Sequence, residues 1–408
     1  MYGAPQNYTA QPKRLIVCCD GTWEDSTADT AQLPSNVTRI CRALNRYAEV
    51  EEDGVKKIIP QIVYYQKGVG TGIGDKIWGG AAGAGLSANI RAAYGFLAEN
   101  YDVNDKIYFF GFSRGAYTAR AIAGLVSDLG LLSCRGMDNF AIVYNEYYKK
   151  SGYKPYSAEQ RRSLGFRDII PTIEIVGVWD TVGFHDFWFS RYFGEELEYR
   201  NTDLSPNIKY AFHALSLDEK RTAFQPTLWH LPEQRKDQEL LQVWFSGVHT
   251  DVGGGGHDPR LSNITLAWMI AQCTKHNQLS FDYDYLFPAP PPNEEPDTIP
   301  WATSKGKNEK WGFVQYMEAL SLGASRRTPL RYKPLEFTNE TIHESIKDRH
   351  CCGQATKHTH WPTKVLKSRR DADTWVLPGR DEIKQVAASD VEKYFKGRIR
   401  TVRLHEVD

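Results

Sequence analysis

The 408-residue sequence predicts an α/β fold: a doubly wound, mostly parallel sheet with helices on both faces. Short apolar runs, rich in β-branched and aromatic residues, indicate strands that are covered on both sides. Helical patterns separate these runs, and strands that alternate with helices are typical of a parallel sheet. The predicted strands are residues 15–19, 62–65, 107–110, 173–178 and 241–245.

Helix signals lie between and after these strands. Ser35 is predicted to cap a helix that carries Val37 and Ile40 on one face, and Ser87 is predicted to cap a second helix. Further helices are predicted over residues 115–129, 211–217, 314–322 and 341–348.

A proline-rich segment over residues 287–296 indicates a break in the chain. We therefore interpret residues 1–13 as a disordered tail, 14–285 as the α/β core with insertions, and 286–408 as a helical C-terminal appendage or cap on the core. No apolar run approaches the roughly 20 residues of a membrane span, and the tail lacks the apolar core of a signal peptide.

The composition bounds the class of protein. Lys and Arg together number 50, as do Asp and Glu, so the charge pattern of a nucleic-acid binder is missing. The 7 cysteines show no CxxC spacing, which favours reduced thiols and a cytoplasmic protein. Several basic residues are predicted to be solvated surface charges: Lys149, Lys150, Arg161, Arg162, Arg326 and Arg327.

The strongest motif is G-x-S-x-G around Ser113. An apolar strand precedes it and a helix rich in small residues follows it, which is the context of a nucleophile elbow. Gly111 and Gly115 are needed there because side chains at those positions would collide in the tight turn. The motif predicts Ser113 as a nucleophile in an α/β-hydrolase-like arrangement.

A serine nucleophile needs a base, and the base needs an orienting acid. Asp180 and His249 each follow an apolar strand, and their order after Ser113 is the one expected in this fold. His213, in a predicted helix, and His257, in a glycine-rich loop, are rival bases. Since ligands bind beyond the carboxyl ends of parallel strands, we expect Ser113, Asp180 and His249 to meet at one sheet edge.

The first strand ends in Asp20-Gly21-Thr22. The backbone N–H of Gly21 or Thr22, with that of Arg114, is predicted to stabilise an oxyanion, and Asp20 is predicted to hold the loop. An aspartyl-phosphatase reading fails because Cys18 occupies the position of the nucleophilic Asp. No ligand set completes a metal site around Asp20, so neither a metal nor an organic cofactor is predicted.

Two other stretches leave alternatives open. The glycines of residues 68–85 suit either a flexible loop near the site or close backbone packing, but they do not form a dinucleotide motif. The aromatic residues of 184–193 suit an acyl-binding cleft, a lid that contacts a membrane surface transiently, or a core helix.

Taken together, the motifs CDGTW, GFSRGAYTAR, VGVWDTVG and GVHTDVGGG resemble an uncharacterised α/β-hydrolase domain family. That family includes the phospholipase effectors of bacterial type VI secretion. The similarity runs roughly from Arg14 to Trp268, with a possible continuation through residues 327–329 and 342–343. The resemblance implies a Ser-Asp-His triad carried by Ser113, Asp180 and His249. It also implies hydrolysis of lipid esters, chiefly phospholipids. The alternatives are an esterase or acyltransferase for a small soluble metabolite, and a catalytically silent binding protein of the same fold.

Overall fold

The computed structural model describes residues 12–21, 33–52, 54–68, 81–148, 153–183, 202–231, 237–256, 258–275, 279–287, 327–330, 337–346, 367–368, 374–376 and 382–396. Eleven strands lie in this part of the chain and form one sheet. They are β1 (Arg14–Cys19), β2 (Tyr47–Glu52), β3 (Val55–Gln66), β4 (Lys106–Phe112), β5 (Ile173–Trp179), β6 (Ile208–Ser216), β7 (Glu239–Phe245), β8 (Glu340–His343), β9 (Lys367–Ser368), β10 (Thr374–Val376) and β11 (Glu382–Val386).

The strand order is β2-β3-β1-β4-β5-β6-β7-β8-β11-β10-β9. Pairing is parallel from β3 through β11, while β2 at one edge and β10 and β9 at the other pair antiparallel. All five predicted strands lie inside observed ones, so the prediction of a mostly parallel α/β sheet is confirmed. The chain moves from β1 to β3 on one side and returns to β4 on the other. This reversal creates a crevice at the carboxyl ends of β1 and β4.

The α-helices in the described residues are α1 (Asn36–Ala43), α2 (Ala81–Asn100), α3 (Ser113–Leu129), α4 (Phe140–Tyr147), α5 (Ala158–Leu164), α6 (His249–Gly253), α7 (Arg260–Thr274), α8 (Tyr283–Leu286) and α9 (Asp390–Lys396). Ser35 caps α1 as predicted, because its side chain accepts the N–H of Thr38. Ser87 does not cap α2, which already begins at Ala81 in a run of Ala and Gly without helical periodicity. None of the described helices is both long and apolar enough to cross a membrane.

The sheet is buried between two apolar layers. Alternate residues of a strand point to opposite faces, so Leu15 and Val17 of β1 pack towards α2 and α3. Ile16 and Cys18 pack on the other side, towards α1 and α7. Apolar burial at about 25 cal/mol per Å² is the main stabilising contribution to such a core.

One predicted helix is a strand, and a second begins as a strand. Residues 211–217 were expected to be helical, but Ile208–Ser216 forms β6 between β5 and β7. A central strand covered on both faces loses its polar–apolar alternation, and its apolar spacing then imitates a helix. Residues 341–348 also contain strand β8, which pairs with β7 and extends the sheet.

The predicted division at residue 286 stays a prediction. Residues 1–11, 184–193 and 314–322 lie outside the described part, so the tail, the aromatic stretch and that helix stay predictions as well. Lys13, at the end of the predicted tail, is anchored: its backbone N–H and its ammonium group donate to Asp105.

Candidate active site

Ser113 lies at a sharp turn between β4 and α3. Its φ of 57° is in the left-handed region, which a non-glycine residue enters only under strain. A Cβ at Gly111 would collide with the backbone of Ala116, and one at Gly115 with the backbone of Cys19 and Asp20. The turn thus has the geometry of a nucleophile elbow, with Ser113 as the first residue of α3 at the positive end of the helix.

Asp20 ties the end of β1 to α1 beside this elbow. Its carboxylate accepts the hydroxyls of Ser35, Thr38 and Tyr65 at 2.6–2.8 Å. It also accepts the N–H of Gly21 at 2.8 Å. Burial raises the pKa of Asp20, although these hydrogen bonds act in the opposite direction. The carboxylate therefore holds the first loop, while Thr22 lies outside the described residues.

Asp180 follows β5 and is completely buried. Its φ of 41° is again left-handed, so the carboxylate turns towards β6. Ser216 donates its N–H at 3.0 Å and its hydroxyl at 2.9 Å. Burial alone would raise the pKa of Asp180, but the adjacent cation Arg327 and the hydrogen bond from His249 hold it well below its usual range.

Arg327 is the ionic partner of Asp180. Its two terminal nitrogens contact Oδ1 and Oδ2 at 2.5 and 3.0 Å, and only 1% of the residue is exposed. The sequence-based assignment of Arg327 as a surface charge was therefore wrong. No local pattern marks it, because its partner lies 147 positions earlier in the chain. Arg161, also expected to be solvated, is partly buried and donates to the carbonyl of Leu129.

His249 begins α6 directly after β7 and the Ser246–Val248 turn. Its Nδ1 lies 2.6 Å from Oδ2 of Asp180. An ionised carboxylate only accepts, so Nδ1 carries a proton, and in the neutral imidazole Nε2 then presents a lone pair. Nε2 is buried, and no described residue forms a hydrogen bond with it.

Two aromatic rings hold the imidazole of His249. The ring of Phe112, the residue before Ser113, lies 4.6 Å from it between centroids. The ring of Phe224 lies 4.8 Å away and is edge-on. Gly253 of α6 lets the Phe112 ring approach, since a Cβ there would overlap that ring. The imidazole is thus packed directly against the nucleophile elbow.

Glu219 supports the backbone of this histidine. Its carboxylate lies 3.3 Å from the N–H of His249 and forms a bidentate pair with Arg221 at 2.8–2.9 Å. Burial opposes ionisation of Glu219, but the Arg221 guanidinium lowers its pKa to about 2. The guanidinium also lies over the Phe224 ring, 3.7 Å from its centroid.

The rival histidines differ in their placement. His213 lies in β6 rather than in a helix, where its Nε2 accepts the N–H of Thr181 at 3.0 Å. Its Nδ1 is 3.2 Å from Oε1 of Gln242. Burial lowers the pKa of His213 to about 3, so it stays neutral and supports the backbone beside Asp180. His257 lies outside the described residues.

The four strand ends therefore converge as expected from their sequence positions. Asp20, Ser113, Asp180 and His249 follow β1, β4, β5 and β7, at the carboxyl edge of the sheet. Gly21 and Arg114 are neighbours of this group in the chain. Phe112, Ser216, Glu219 and Arg327 complete the surroundings, and sequence reasoning missed all four of them.

Comparison with known proteins assigns this sequence to a family. An uncharacterized protein of Saccharomyces cerevisiae is 28% identical over 246 residues, which are 54% of this chain and 33% of that protein. A crystal structure of an uncharacterized protein from Pseudomonas aeruginosa is 17% identical, with a TM-score of 0.37 over 67% of this chain and 47% of that chain. The chain thus spans less than half the length of either protein. The family model of the catalytic domain of Tle1-like phospholipase effectors of type VI secretion matches residues 13–272. This match covers more than half of the chain, which therefore belongs to the Tle1-like phospholipase effector family.

Proposed function

We propose that this protein is a serine hydrolase that cleaves acyl esters of lipids through Ser113, His249 and Asp180. The observation that carries the proposal is the His249 imidazole. Its Nδ1 is bound to a buried carboxylate at 2.6 Å, while its buried Nε2 has no hydrogen-bond partner among the described residues. The ring packs on Phe112, directly before a serine in an elbow conformation.

In the first half-reaction, Nε2 of His249 takes the proton of the Ser113 hydroxyl as Oγ attacks the ester carbonyl. The carbonyl electron pair moves onto oxygen to form a tetrahedral oxyanion. Collapse of this intermediate breaks the ester C–O bond, and His249 returns the proton to the departing alcohol. The acyl group is then bound to Ser113.

In the second half-reaction, water gives a proton to His249 and attacks the acyl carbonyl. The Ser113–acyl bond breaks, the fatty acid leaves and the proton returns to Oγ. Asp180 stays ionised throughout, because Arg327 and His249 stabilise its charge. Its role is to fix the tautomer of His249 and to stabilise the imidazolium that forms.

The oxyanion needs backbone donors. Arg114 is the second residue of α3, so its N–H belongs to the first turn, where N–H groups point out of the helix. The N–H of Gly21 donates to Asp20, which makes Gly21 a weaker candidate than the sequence suggested. Thr22 stays the other candidate. One such donor contributes about 3–4 kcal/mol in the transition state.

The substrate class follows from the family. Membership of a phospholipase effector family supports a lipase or phospholipase type of function. The corresponding substrate is a lipid ester, which the protein would reach through a transient contact with a membrane surface. Its acyl chain and head group are the variables to be measured.

A fluorophosphonate probe tests the nucleophile. We expect the wild type to be labelled and Ser113→Ala to be unlabelled, because only an activated hydroxyl attacks phosphorus. Ser345→Ala is a matched control, since Ser345 is buried like Ser113 and its hydroxyl is itself hydrogen-bonded to a histidine, His343. This variant should be labelled like the wild type. Labelling should be followed by hydrolysis of an acyl-ester chain-length series and of phosphatidylcholine vesicles.

The outcomes separate the alternatives. An unlabelled wild type that hydrolyses none of these esters would reject the hydrolase and favour a binding protein. Turnover of short esters alone would reject the lipid substrate and keep the chemistry.

A further inference from the structure

The guanidinium of Arg327 contacts the acid of the candidate catalytic pair. Besides both oxygens of Asp180, it binds the carbonyl and the hydroxyl of Ser216 at 2.8 Å. It also donates to the carbonyl of Phe224 at 2.5 Å. Arg327 thus connects the acid, its β6 neighbour and the residue whose ring contacts His249.

The segment that carries Arg327 is hydrogen-bonded to the sheet. The N–H of Leu330 donates to Oε2 of Glu340 in β8 at 3.0 Å. The indole N–H of Trp244 in β7 donates to the same oxygen at 2.9 Å. Residues 327–330 are therefore held against the strand that leads to His249. They lie beyond residue 272, where the match to the family's catalytic domain ends.

We propose that Arg327 is a positioning residue for the Asp180–His249 pair, supplied to the site by a segment outside residues 13–272, which the family's catalytic-domain model matches. This inference rests on the function proposed above. It assigns part of the catalytic apparatus to the C-terminal region, which was predicted to be an appendage.

The physical reason is geometric as well as electrostatic. Five donors from Ser216, Arg327 and His249 surround the carboxylate of Asp180, so it cannot rotate away from Nδ1. A planar guanidinium fixes both oxygens at once, whereas an ammonium group would act as a point charge.

Charge balance explains why a permanent cation suits this position. Glu219 and its partner Arg221 also face His249, and His213 contacts the backbone of Thr181 next to Asp180. With Arg327 present, the two carboxylates are matched by two guanidinium groups while His249 is neutral. Without Arg327, the Asp180–His249 pair carries an uncompensated negative charge and takes up a proton at higher pH.

Two substitutions test this role. Arg327→Gln removes the charge, and Arg327→Lys keeps the charge but loses the bidentate geometry. Arg120→Gln is the matched control. Arg120 is equally buried, donates to the carbonyls of Thr227 and Leu228, and lies over Trp229, but it forms no hydrogen bond with Asp180 in the described part of the chain.

We expect Arg327→Gln to lower kcat for a soluble acyl ester about 10²-fold with little change in KM, because the pair loses its orientation. The acid limb of its pH–rate profile should move up by about one pH unit. Arg327→Lys should lower kcat about tenfold and leave the acid limb in place. Arg120→Gln should lower the melting temperature without moving the limb.

Different experimental results would overturn the inference and the proposed function. If the wild type turns over esters but Arg327→Gln keeps its kcat within about twofold and its acid limb in place, Arg327 is only a structural residue. If Arg327→Gln does not fold, Arg327→Lys decides the matter, and an unchanged kcat there would overturn the inference. A wild type that neither labels nor turns over ester rejects the proposed function itself.

Discussion

The described part of the chain contains two buried groups built from serine, histidine and a carboxylate, and their geometries differ. In the first, His249 binds Asp180 at 2.6 Å and packs on the Ser113 elbow. In the second, Nε2 of His343 lies 3.0 Å from Glu392, and Nδ1 lies 2.9 Å from the hydroxyl of Ser345. The residue types are nearly the same, so composition does not explain the difference.

The difference lies in unused hydrogen-bonding capacity and in backbone conformation. Both nitrogens of His343 are engaged, and Nδ1 also receives the N–H of Ser345 at 3.2 Å. In the described residues, Nε2 of His249 has no such partner. Ser345 lies two positions after His343 and forms no elbow, whereas Ser113 has a left-handed φ and begins a 17-residue helix.

The second group joins the strand β8 to the helix α9. Glu392 also accepts the N–H of Ser389 at 2.8 Å, and Ser389 in turn accepts the N–H of Glu392, which is a capping box at the start of α9. Phe245 of β7 stacks on His343 at 4.7 Å. We therefore interpret His343–Glu392 as a structural latch for the C-terminal region.

The largest expected contrast is between the two histidines. His249→Ala should lower kcat about 10⁴-fold or more, because the proposed base is lost, and should lower the free energy of unfolding by only about 1 kcal/mol. His343→Ala should leave kcat nearly unchanged but lower the free energy of unfolding by about 3 kcal/mol, since it leaves a buried carboxylate without its partner. Ester turnover and urea unfolding of both variants measure this. If a folded His343→Ala variant lost turnover, the catalytic role would belong to His343 and the structural role to His249.

A smaller effect concerns the acid stability of the active-site side. The pKa of Glu219 is lowered to about 2, so its ion pair with Arg221 stabilises the fold at neutral pH. A depressed pKa means that this contribution is present above the pKa of the unfolded chain and is lost as the pH falls towards 2. It amounts to about 3 kcal/mol.

Glu219→Gln should therefore make the free energy of unfolding less dependent on pH between about pH 5 and pH 2. Glu239→Gln is the control, because Glu239 pairs with the half-exposed Lys275 at the surface and contributes little. Urea unfolding at several pH values measures both. Equal pH dependence in wild type and Glu219→Gln would show that the carboxylate is not held ionised by its partner.

Local sequence signals predicted the strands that lead to the site and the residues at their ends. Each apolar run ends in a polar turn, and these turns lead to Asp20, Ser113, Asp180 and His249. Each pattern of strand and turn lies within one short stretch of the sequence, so it can be recognised locally. The reason that glycine is required at positions 111 and 115 was also predicted correctly, because backbone atoms lie where a side chain would be.

The rest of the site depends on contacts between distant segments. Arg327 was assigned to the surface, whereas its ionic partner, Asp180, follows β5 147 positions earlier in the chain. β6 was taken for a helix because burial on both faces removes the alternation that marks a strand. Glu219 and Phe224 follow β6, so the error in that strand also concealed the support around His249.

The smallest expected effect is that of Glu392→Gln. If the imidazole of His343 in this latch is neutral, the negative charge of Glu392 is dispensable, because an amide oxygen can still accept one hydrogen bond. The amide replaces one of two accepting oxygens with a donor, so one of the bonds to His343 or Ser389 is lost. We expect a decrease of about 1 kcal/mol in the free energy of unfolding and no change in ester turnover. A decrease as large as that of His343→Ala would mean that the charge itself is needed and that His343 is protonated. The latch would then be a buried ion pair like Asp180–Arg327, and hydrogen-bonding capacity alone would no longer separate the two groups.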